Sequence, residues 1–138
     1  MTQSSDDRRV ELTNHIMHLL DSWGASGPQK IVLLGLPEDM RARKLERYRQ
    51  NEAFPDTDII NEHLEHLVGI ADALRTSYPR NVEMCSLWLK KPHKRLEGRT
   101  PLSVMTEKGL RGIIQVRAQL DCSFAWNMSG SSHSAGSS

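Results

Sequence analysis

Two histidine pairs are the first residues whose spacing could support chemistry. His15 and His18, and likewise His63 and His66, lie three residues apart, so that each pair would share one face of a helix. Such a pair could bind a metal ion only with a third ligand from elsewhere in the fold. We interpret both pairs as solvated helix faces, and the sequence predicts no metal site.

The residue types needed for catalysis are present, but not in the required patterns. The segment 24–30 lacks the glycine spacing and the Lys-Ser/Thr ending of a phosphate-binding loop, and Pro28 would block the loop conformation. No Gly-x-Ser-x-Gly elbow is present. Cys85 and Cys122 form no Cys-x-x-Cys pair, and we expect both to be reduced and partly buried. The sequence therefore predicts no catalytic residue, no cofactor and no enzymatic activity.

Length and composition limit the architecture. The 138 residues allow one compact domain or two very small lobes that share a core. The 18 basic and 17 acidic residues nearly balance, so only the local distribution of charge can indicate a nucleic-acid partner. No apolar run approaches the roughly 20 residues that span a bilayer, and the charged residues 6–9 interrupt any signal-peptide pattern. We expect a cytoplasmic protein without a membrane partner.

Apolar periodicity predicts an all-α fold. The clearest helix follows Thr57, where Ile60, Leu64, Leu67, Ala71 and Leu74 form one continuous apolar stripe. Residues 31–34 could be a buried strand, but Gly35 favours a short helix with a glycine cap. The predicted helices cover residues 6–23, 31–34, 38–50, 58–78, 80–91 and 107–120, with a short turn over 101–105 before the last of them. We divide the chain into an N-terminal helix (1–27), a helix-turn-helix-like region (28–79), a small helical C-terminal half (80–126) and a flexible Ser/Gly tail (127–138).

The predicted third helix is strongly basic. Between residues 41 and 49 five cations stand against one anion, Glu46. Because a short helix precedes this segment, the layout is typical of a helix-turn-helix, whose second helix offers long cationic side chains to DNA. The candidate DNA-binding residues are Arg41, Arg43, Lys44, Arg47 and Arg49. The alternative is a solvated amphipathic face, since Glu38 and Asp39 stand at the start of the helix.

A second basic stretch surrounds a distinctive string, residues 87–105. Trp88 and Leu89 anchor the end of a helix that Pro92 terminates. Leu96 is predicted to plug the following loop into the core, and Gly98 to allow a tight turn. A new helix is then predicted to start at Pro101, with Thr100 as its N-cap.

This string resembles the toxin-binding domain of the Xre/MbcA/ParS antitoxin family. The family pattern is Trp-Leu, a short gap, Pro-Asn, a Leu, Gly-Gly-Arg-Ser/Thr-Pro-Leu, an apolar pair and a final helix that contains Gly. The matching positions are Trp88, Leu89, Pro92, Leu96, Gly98, Arg99, Thr100, Pro101, Leu102 and Gly109. The sequence departs from the pattern at His93, where the family usually has Asn, and at Glu97, where it often has Gly. The resemblance is strong over residues 80–120 and weaker over 31–79.

The resemblance implies a partner and a mechanism. The usual partner is a RES-domain toxin that depletes cellular NAD, and the antitoxin neutralises it by covering the entrance of its active site. The basic loop and the end of the last helix lie on the toxin side in that family. Carried over to this chain, the candidate toxin-binding residues are Lys94, Arg95, Arg99, Leu120, Phe124 and Trp126. Phe124 and Trp126 are also the residue types that form interface hot spots, although they could instead pack onto the protein's own core.

The sequence thus predicts the antitoxin of a type II toxin–antitoxin system. It would occlude a RES-type toxin and could repress its own operon by binding operator DNA, as a homodimer or in a hetero-oligomer with the toxin. The alternative is a stand-alone helix-turn-helix regulator of transcription without a toxin partner.

Overall fold

The structure is a computed structural model that describes residues 5–130, with the side chains of residues 7–122. The predicted all-α class is confirmed, since the described residues form helices and no strand. The α-helices are α1 (Ser5–Ser22), α2 (Gly27–Leu34), α3 (Ala42–Arg47), α4 (Asp58–Ser77), α5 (Val82–Lys90), α6 (Pro101–Lys108) and α7 (Leu110–Gly130). A single 3-10 turn, Lys94–Leu96, lies between α5 and α6.

One hydrophobic core extends through the described residues. The predicted apolar stripe of α4 is confirmed: Leu64, Leu67 and Leu74 are buried, and Ile70 adds to the same face. The most extensive helix contacts are those of α7 with α4 and with α6. The long α4 is therefore the element against which the C-terminal helices are assembled.

The first helix holds the chain that leads into α4. The hydroxyl of Thr13, which is fully buried, accepts a hydrogen bond from the backbone N–H of Phe54 at 2.9 Å. The guanidinium of Arg9 donates to the backbone carbonyl of Phe54 at 2.7 Å. Phe54 itself packs against Tyr48, with ring centroids 4.9 Å apart. These contacts fix the end of α3 relative to α1.

The short helix predicted over residues 31–34 is confirmed, but it begins earlier. Ser26 and Gln29 form a capping box, in which each side chain accepts a hydrogen bond from the other residue's backbone N–H. Pro28 lies in the first turn, where its missing N–H costs nothing. Gly35 ends the helix with φ +74°. The predicted start at residue 31 was therefore four residues too late, because Gly27 and Pro28 already belong to the first turn of α2.

The helix predicted over residues 38–50 was too long. Glu38 and Asp39 lie in a turn, Arg41 is the extended residue before the helix, and α3 covers only Ala42–Arg47. Seven residues separate α2 from α3, compared with the roughly three to four of a helix-turn-helix turn. The acidic residues expected in the first turn of α3 therefore lie outside it.

Two large apolar side chains of the C-terminal helices face solvent. Val82, the first residue of α5, is 76% exposed, and Ile114 on α7 is 40% exposed. Leu89, which was predicted to anchor the helix end, is buried, and Cys85 and Trp88 are half-buried. Cys122, expected to be partly buried, is exposed.

The last helix is longer than predicted. Glu107, which we assigned to it, belongs to α6, and Gly109 separates α6 from α7 with φ +65°. The backbone of α7 continues past the predicted end at Leu120 to Gly130. It therefore includes residues 127–130 of the predicted tail, whose remaining residues, 131–138, lie outside the described residues. Among the helices of the described segment, none is long and apolar enough to cross a membrane.

Candidate functional site

The loop between α5 and α6 is closed on itself by its own backbone. The N–H of His93 donates to the carbonyl of Arg99 at 3.1 Å, and the N–H of Gly98 donates back to the carbonyl of His93 at 2.9 Å. Leu96, at 2% exposure, plugs the loop into the core as predicted. The chain reverses at Glu97 and Gly98, which have φ values of +58° and +77°. The predicted tight turn at Gly98 is thus confirmed.

Both ends of this loop are fixed to helices. At its start, the imidazole of His93 lies against the ring of Trp88, with centroids 4.7 Å apart, and its Nε2 is 2.9 Å from the carbonyl of Trp88. At its end, the Thr100 hydroxyl accepts a hydrogen bond from the N–H of Ser103 and caps α6, as predicted. The loop therefore presents its remaining side chains from a defined backbone.

Four cations of this segment reach into solvent. Lys90, Lys91, Lys94 and Arg95 are exposed, and within the described part of the chain none of them forms an ion pair. We call these four residues the basic loop. Arg99 differs from them, because its guanidinium is half-buried and forms an ion pair with Glu107 on α6.

The other predicted toxin contacts lie on α7. Leu120 is only 4% exposed, so its side chain belongs to the core, and its role as a toxin contact stays a prediction. It was selected for its position near the helix end, but its i+4 spacing from Val116 places it on the buried face. The backbone of α7 runs through residues 124 and 126, whereas the side chains of Phe124 and Trp126 lie outside the described residues.

The basic residues of α3 surround a shallow depression of about 290 Å³. Its lining includes the four cations Arg41, Arg43, Lys44 and Arg47, together with the apolar Met40 and the acidic Asp39. The fifth predicted DNA-binding residue, Arg49, is turned away from this group. The structure thus brings four of the five together. Three of them, Arg41, Arg43 and Arg47, are free of ion pairs within the described residues, and Lys44 is paired with Glu52.

Arg49 belongs to a network around Asp21 at the end of α1. The Asp21 carboxylate binds both Arg49 and Lys30, and Arg49 also binds Glu46. The hydrogen bond from Arg49, aided by Lys30, lowers the pKa of Asp21, and the same hydrogen bond raises the pKa of Arg49. Lys30 is 6% exposed, so Asp21 is the counter-ion of a buried cation.

Sequence reasoning missed the role of two polar residues in the core. Lys30 was considered only as part of a failed phosphate loop, and His63 was predicted to be solvated. His63 is 6% exposed, and its Nδ1 lies 2.9 Å from the carbonyl of Leu33. The signal that was available is position, since His63 directly precedes Leu64 of the apolar stripe. His66, by contrast, is half-buried, with its Nδ1 3.1 Å from Arg117 on α7.

An apolar groove lies between α1, the end of α4 and α5. Leu19 and Trp23 of α1, Leu74 and Tyr78 near the end of α4, and Cys85 of α5 line a cavity of about 270 Å³. Burial raises the pKa of the Cys85 thiol, whose Sγ lies 3.6 Å from the carbonyl of Leu74. No sequence pattern indicated this groove, because it is formed by three separate helices.

No three His, Cys, Asp or Glu side chains are placed to hold a metal ion among the residues that the structure describes.

Comparison with protein families gives a match to the C-terminal half of the chain. Residues 73–122 match the family model of the antitoxin Xre/MbcA/ParS C-terminal toxin-binding domain, which confirms the resemblance found in the sequence. The matched segment begins in the last turn of α4 and includes α5, the basic loop, α6 and the first half of α7. No curated protein matches the chain. The match supports an antitoxin role in a toxin–antitoxin system.

Proposed function

We propose that the protein is the antitoxin of a type II system with a RES-type, NAD-depleting toxin, because residues 73–122 match the family model of the Xre/MbcA/ParS C-terminal toxin-binding domain. It binds the toxin in the cytoplasm and covers the entrance of its active site. Inhibition then rests on binding free energy, and the protein itself catalyses nothing. The observation that carries this proposal is the match over residues 73–122.

The contact surface that we propose consists of the basic loop, Arg99 and the end of α7. The loop supports this role because its backbone is closed by hydrogen bonds and its cations are exposed. A preformed surface loses little conformational entropy on binding. Phe124 and Trp126 add the large aromatic side chains that are enriched in interface hot spots.

Co-expression with the product of the neighbouring gene tests the proposal. We expect a stable complex in size-exclusion chromatography, and growth arrest by the neighbour alone that this protein relieves. Substitution of a hot-spot residue costs about 2 kcal/mol or more, a loss of about 30-fold in affinity, so Trp126→Ala and Arg99→Ala should impair neutralisation while the fold is retained. Arg80→Ala is the matched control, since Arg80 is an exposed cation of the same half outside the loop. A neighbour that is harmless alone and forms no complex would contradict the antitoxin role.

A second activity, binding of operator DNA, is favoured by the grouping of Arg41, Arg43, Lys44 and Arg47 around one depression. We propose that this surface contacts DNA phosphates and that the protein represses its own operon. Charge reversal in the variant Arg43→Glu/Arg47→Glu should abolish operator binding and leave toxin neutralisation unchanged. If the wild-type protein binds DNA while no toxin partner exists, the stand-alone regulator is the correct function.

A further inference from the structure

We propose that Glu107, in the last turn of α6, is a positioning residue for toxin binding, which acts by holding the Arg99 guanidinium in place. This role rests on the proposed function, in which Arg99 contacts the toxin. Glu107 lies outside that contact and acts only through Arg99. Three features of the structure support this role: the fixed backbone of Arg99, the ion pair at the far end of its side chain, and the place of Glu107 in α6.

The backbone of Arg99 is fixed by hydrogen bonds on both of its polar groups. The N–H of Arg99 donates to the carbonyl of Leu96 at 3.1 Å, and its carbonyl accepts from the N–H of His93 at 3.1 Å. The next residue, Thr100, is the N-cap of α6. The Cα of Arg99 is therefore held beside the start of α6, and only its side chain remains to be oriented.

The far end of that side chain is held by Glu107. The Glu107 carboxylate forms an ion pair with Nη2 of Arg99. This nitrogen is buried and has no hydrogen-bond partner among the residues that the structure describes, so the charge of Glu107 compensates for its burial. The Arg99 side chain as a whole is still 32% exposed, so the part that solvent reaches lies outside Nη2. The other N–H donors of a guanidinium remain available to a partner protein.

The stability of α6 does not explain the place of Glu107. It is the second-to-last residue of α6, where the helix dipole disfavours a negative charge. Its side chain is exposed, and exposed ion pairs contribute little to stability. The helix that carries it is firmly packed, since Val104 and Met105 are buried in the core. Glu107 therefore presents its carboxylate to Arg99 from a fixed element.

Arg99 differs in this respect from the cations of the basic loop. Those four side chains form no ion pair within the described part of the chain, so a toxin that binds them must also order them. Ordering one long side chain in an interface weakens affinity by about 2- to 12-fold, the equivalent of 0.5–1.5 kcal/mol. The ion pair with Glu107 restricts the Arg99 side chain before the toxin arrives, so Arg99 avoids much of this loss.

A double-mutant cycle on the affinity for the purified toxin, the product of the neighbouring gene, tests this role. Glu107→Gln keeps the shape of the side chain and removes its charge, so it should raise Kd by about 2- to 12-fold when Arg99 is present. In the Arg99→Ala background the same substitution should leave Kd unchanged, because no guanidinium is left to position. The urea midpoint of Glu107→Gln should stay close to that of the wild type.

Glu83→Gln is the matched control. It removes one exposed carboxylate from the same half of the protein, outside the proposed contact surface, and should leave Kd unchanged in both backgrounds. An equal rise of Kd in Glu83→Gln and Glu107→Gln would show that net charge accounts for the effect and would overturn the role of Glu107.

The remaining outcomes separate the role of Glu107 from the function on which it rests. If Glu107→Gln weakens binding equally in both backgrounds, Glu107 acts without Arg99 and is not a positioning residue. Tighter binding by Glu107→Gln would mean that Glu107 competes with the toxin for Arg99. An unchanged Kd, with Arg99→Ala still impaired, would show that Arg99 needs no positioning. If Arg99→Ala binds as tightly as the wild type, Arg99 is no contact and Glu107 has no such role. If the wild-type protein does not bind the neighbouring gene product, the proposed function itself is wrong.

Discussion

At the residue scale, the side chains that matter most for stability are polar groups enclosed in an apolar core. Lys30 and His63 are each 6% exposed, and each has a single defined partner, Asp21 or the carbonyl of Leu33. A buried polar group that loses its partner keeps the full cost of its desolvation. The partner, and not the buried group, is therefore the informative residue to replace.

We predict that Asp21→Asn destabilises the protein by about 1–3 kcal/mol at pH 7, because it leaves the buried Lys30 without its counter-ion. Since the pKa of Asp21 is lowered in the folded protein, its ionised carboxylate stabilises the fold above the usual aspartate pKa of about 3.9. That contribution is lost as the pH falls through the lowered value. Urea denaturation of the wild-type and Asp21→Asn proteins from pH 7 to low pH should show that the difference in their free energies of unfolding becomes smaller.

Glu52→Gln is the matched control, because its partner Lys44 is 43% exposed and stays hydrated when the pair is broken. We expect a loss below about 1 kcal/mol for that variant. Equal losses of unfolding free energy in the two variants would contradict the role assigned to Asp21. So would a destabilisation by Asp21→Asn that does not change with pH.

The sequence could predict which residues carry charge, but not which of them are buried. His63 was misjudged because one histidine of an i, i+3 pair can lie inside the core while the other lies at its edge. Apolar periodicity gives the angular position of a side chain around the helix axis only to within a fraction of a turn. Gly35 completes this site: a Cβ at that position would come within 2.7 Å of the His63 ring. That fit between a helix cap and a distant side chain has no trace in local sequence.

At the element scale, two glycines within helices show how closely the helices approach one another. A Cβ on Gly112 of α7 would meet the backbone carbonyl of Val104 on α6, with the carbonyl carbon 2.9 Å away. A Cβ on Gly69 of α4 would meet only the guanidinium end of Arg117. The first neighbour is fixed backbone, whereas the second is the tip of a flexible side chain.

We predict opposite results for alanine at these two glycines. Gly→Ala in a helix interior gains about 0.5–1 kcal/mol in propensity. At Gly112 the forced separation of α6 and α7 should outweigh this gain, with a net loss of about 1–3 kcal/mol. Gly69→Ala should be neutral or slightly stabilising, because Arg117 can move aside. Thermal and urea denaturation measure both, and a stable Gly112→Ala protein would show that the two helices are not in close contact.

Helix boundaries were predictable where a capping residue stands beside an apolar stripe. Thr57, which accepts from the N–H of Ile60, starts α4 as expected, and Thr100 does the same for α6. The prediction failed for α3 because Glu38 favours a helix start that the structure does not show. It failed for α7 because the next glycine after Leu120 is Gly130, which is where the described helix ends. Long-range contacts such as that between Arg49 and Asp21 decide where α3 ends, and the sequence does not reveal them.

At the scale of the whole molecule, one core joins the two halves that we separated at residue 79. Trp23 on α1 and Leu89 on α5 are members of the same buried cluster as Leu67 on α4 and Val116 on α7. A single cluster of this kind is typical of domains that unfold in one cooperative step.

We therefore predict one unfolding transition for both halves. Trp23 reports on the N-terminal half and Trp88 on the C-terminal half. In the variants Trp88→Phe/Trp126→Phe and Trp23→Phe/Trp126→Phe, the urea midpoint from tryptophan fluorescence should equal that from circular dichroism of the same protein. A fluorescence midpoint that departs from the circular dichroism midpoint in either variant would mean that the halves unfold separately.

The packing of α7 along α4 also limits how such a protein can evolve. The family match begins at residue 73, inside α4. The first residue of the matched segment is therefore not the boundary of an independent folding unit. Recombination at the junction after residue 79 would leave the inward face of α4 without the helix that covers it. A lineage that acquires a new toxin is therefore expected to change partner by substitutions on the surface that we propose as the toxin contact, with the α4–α7 contact inherited intact.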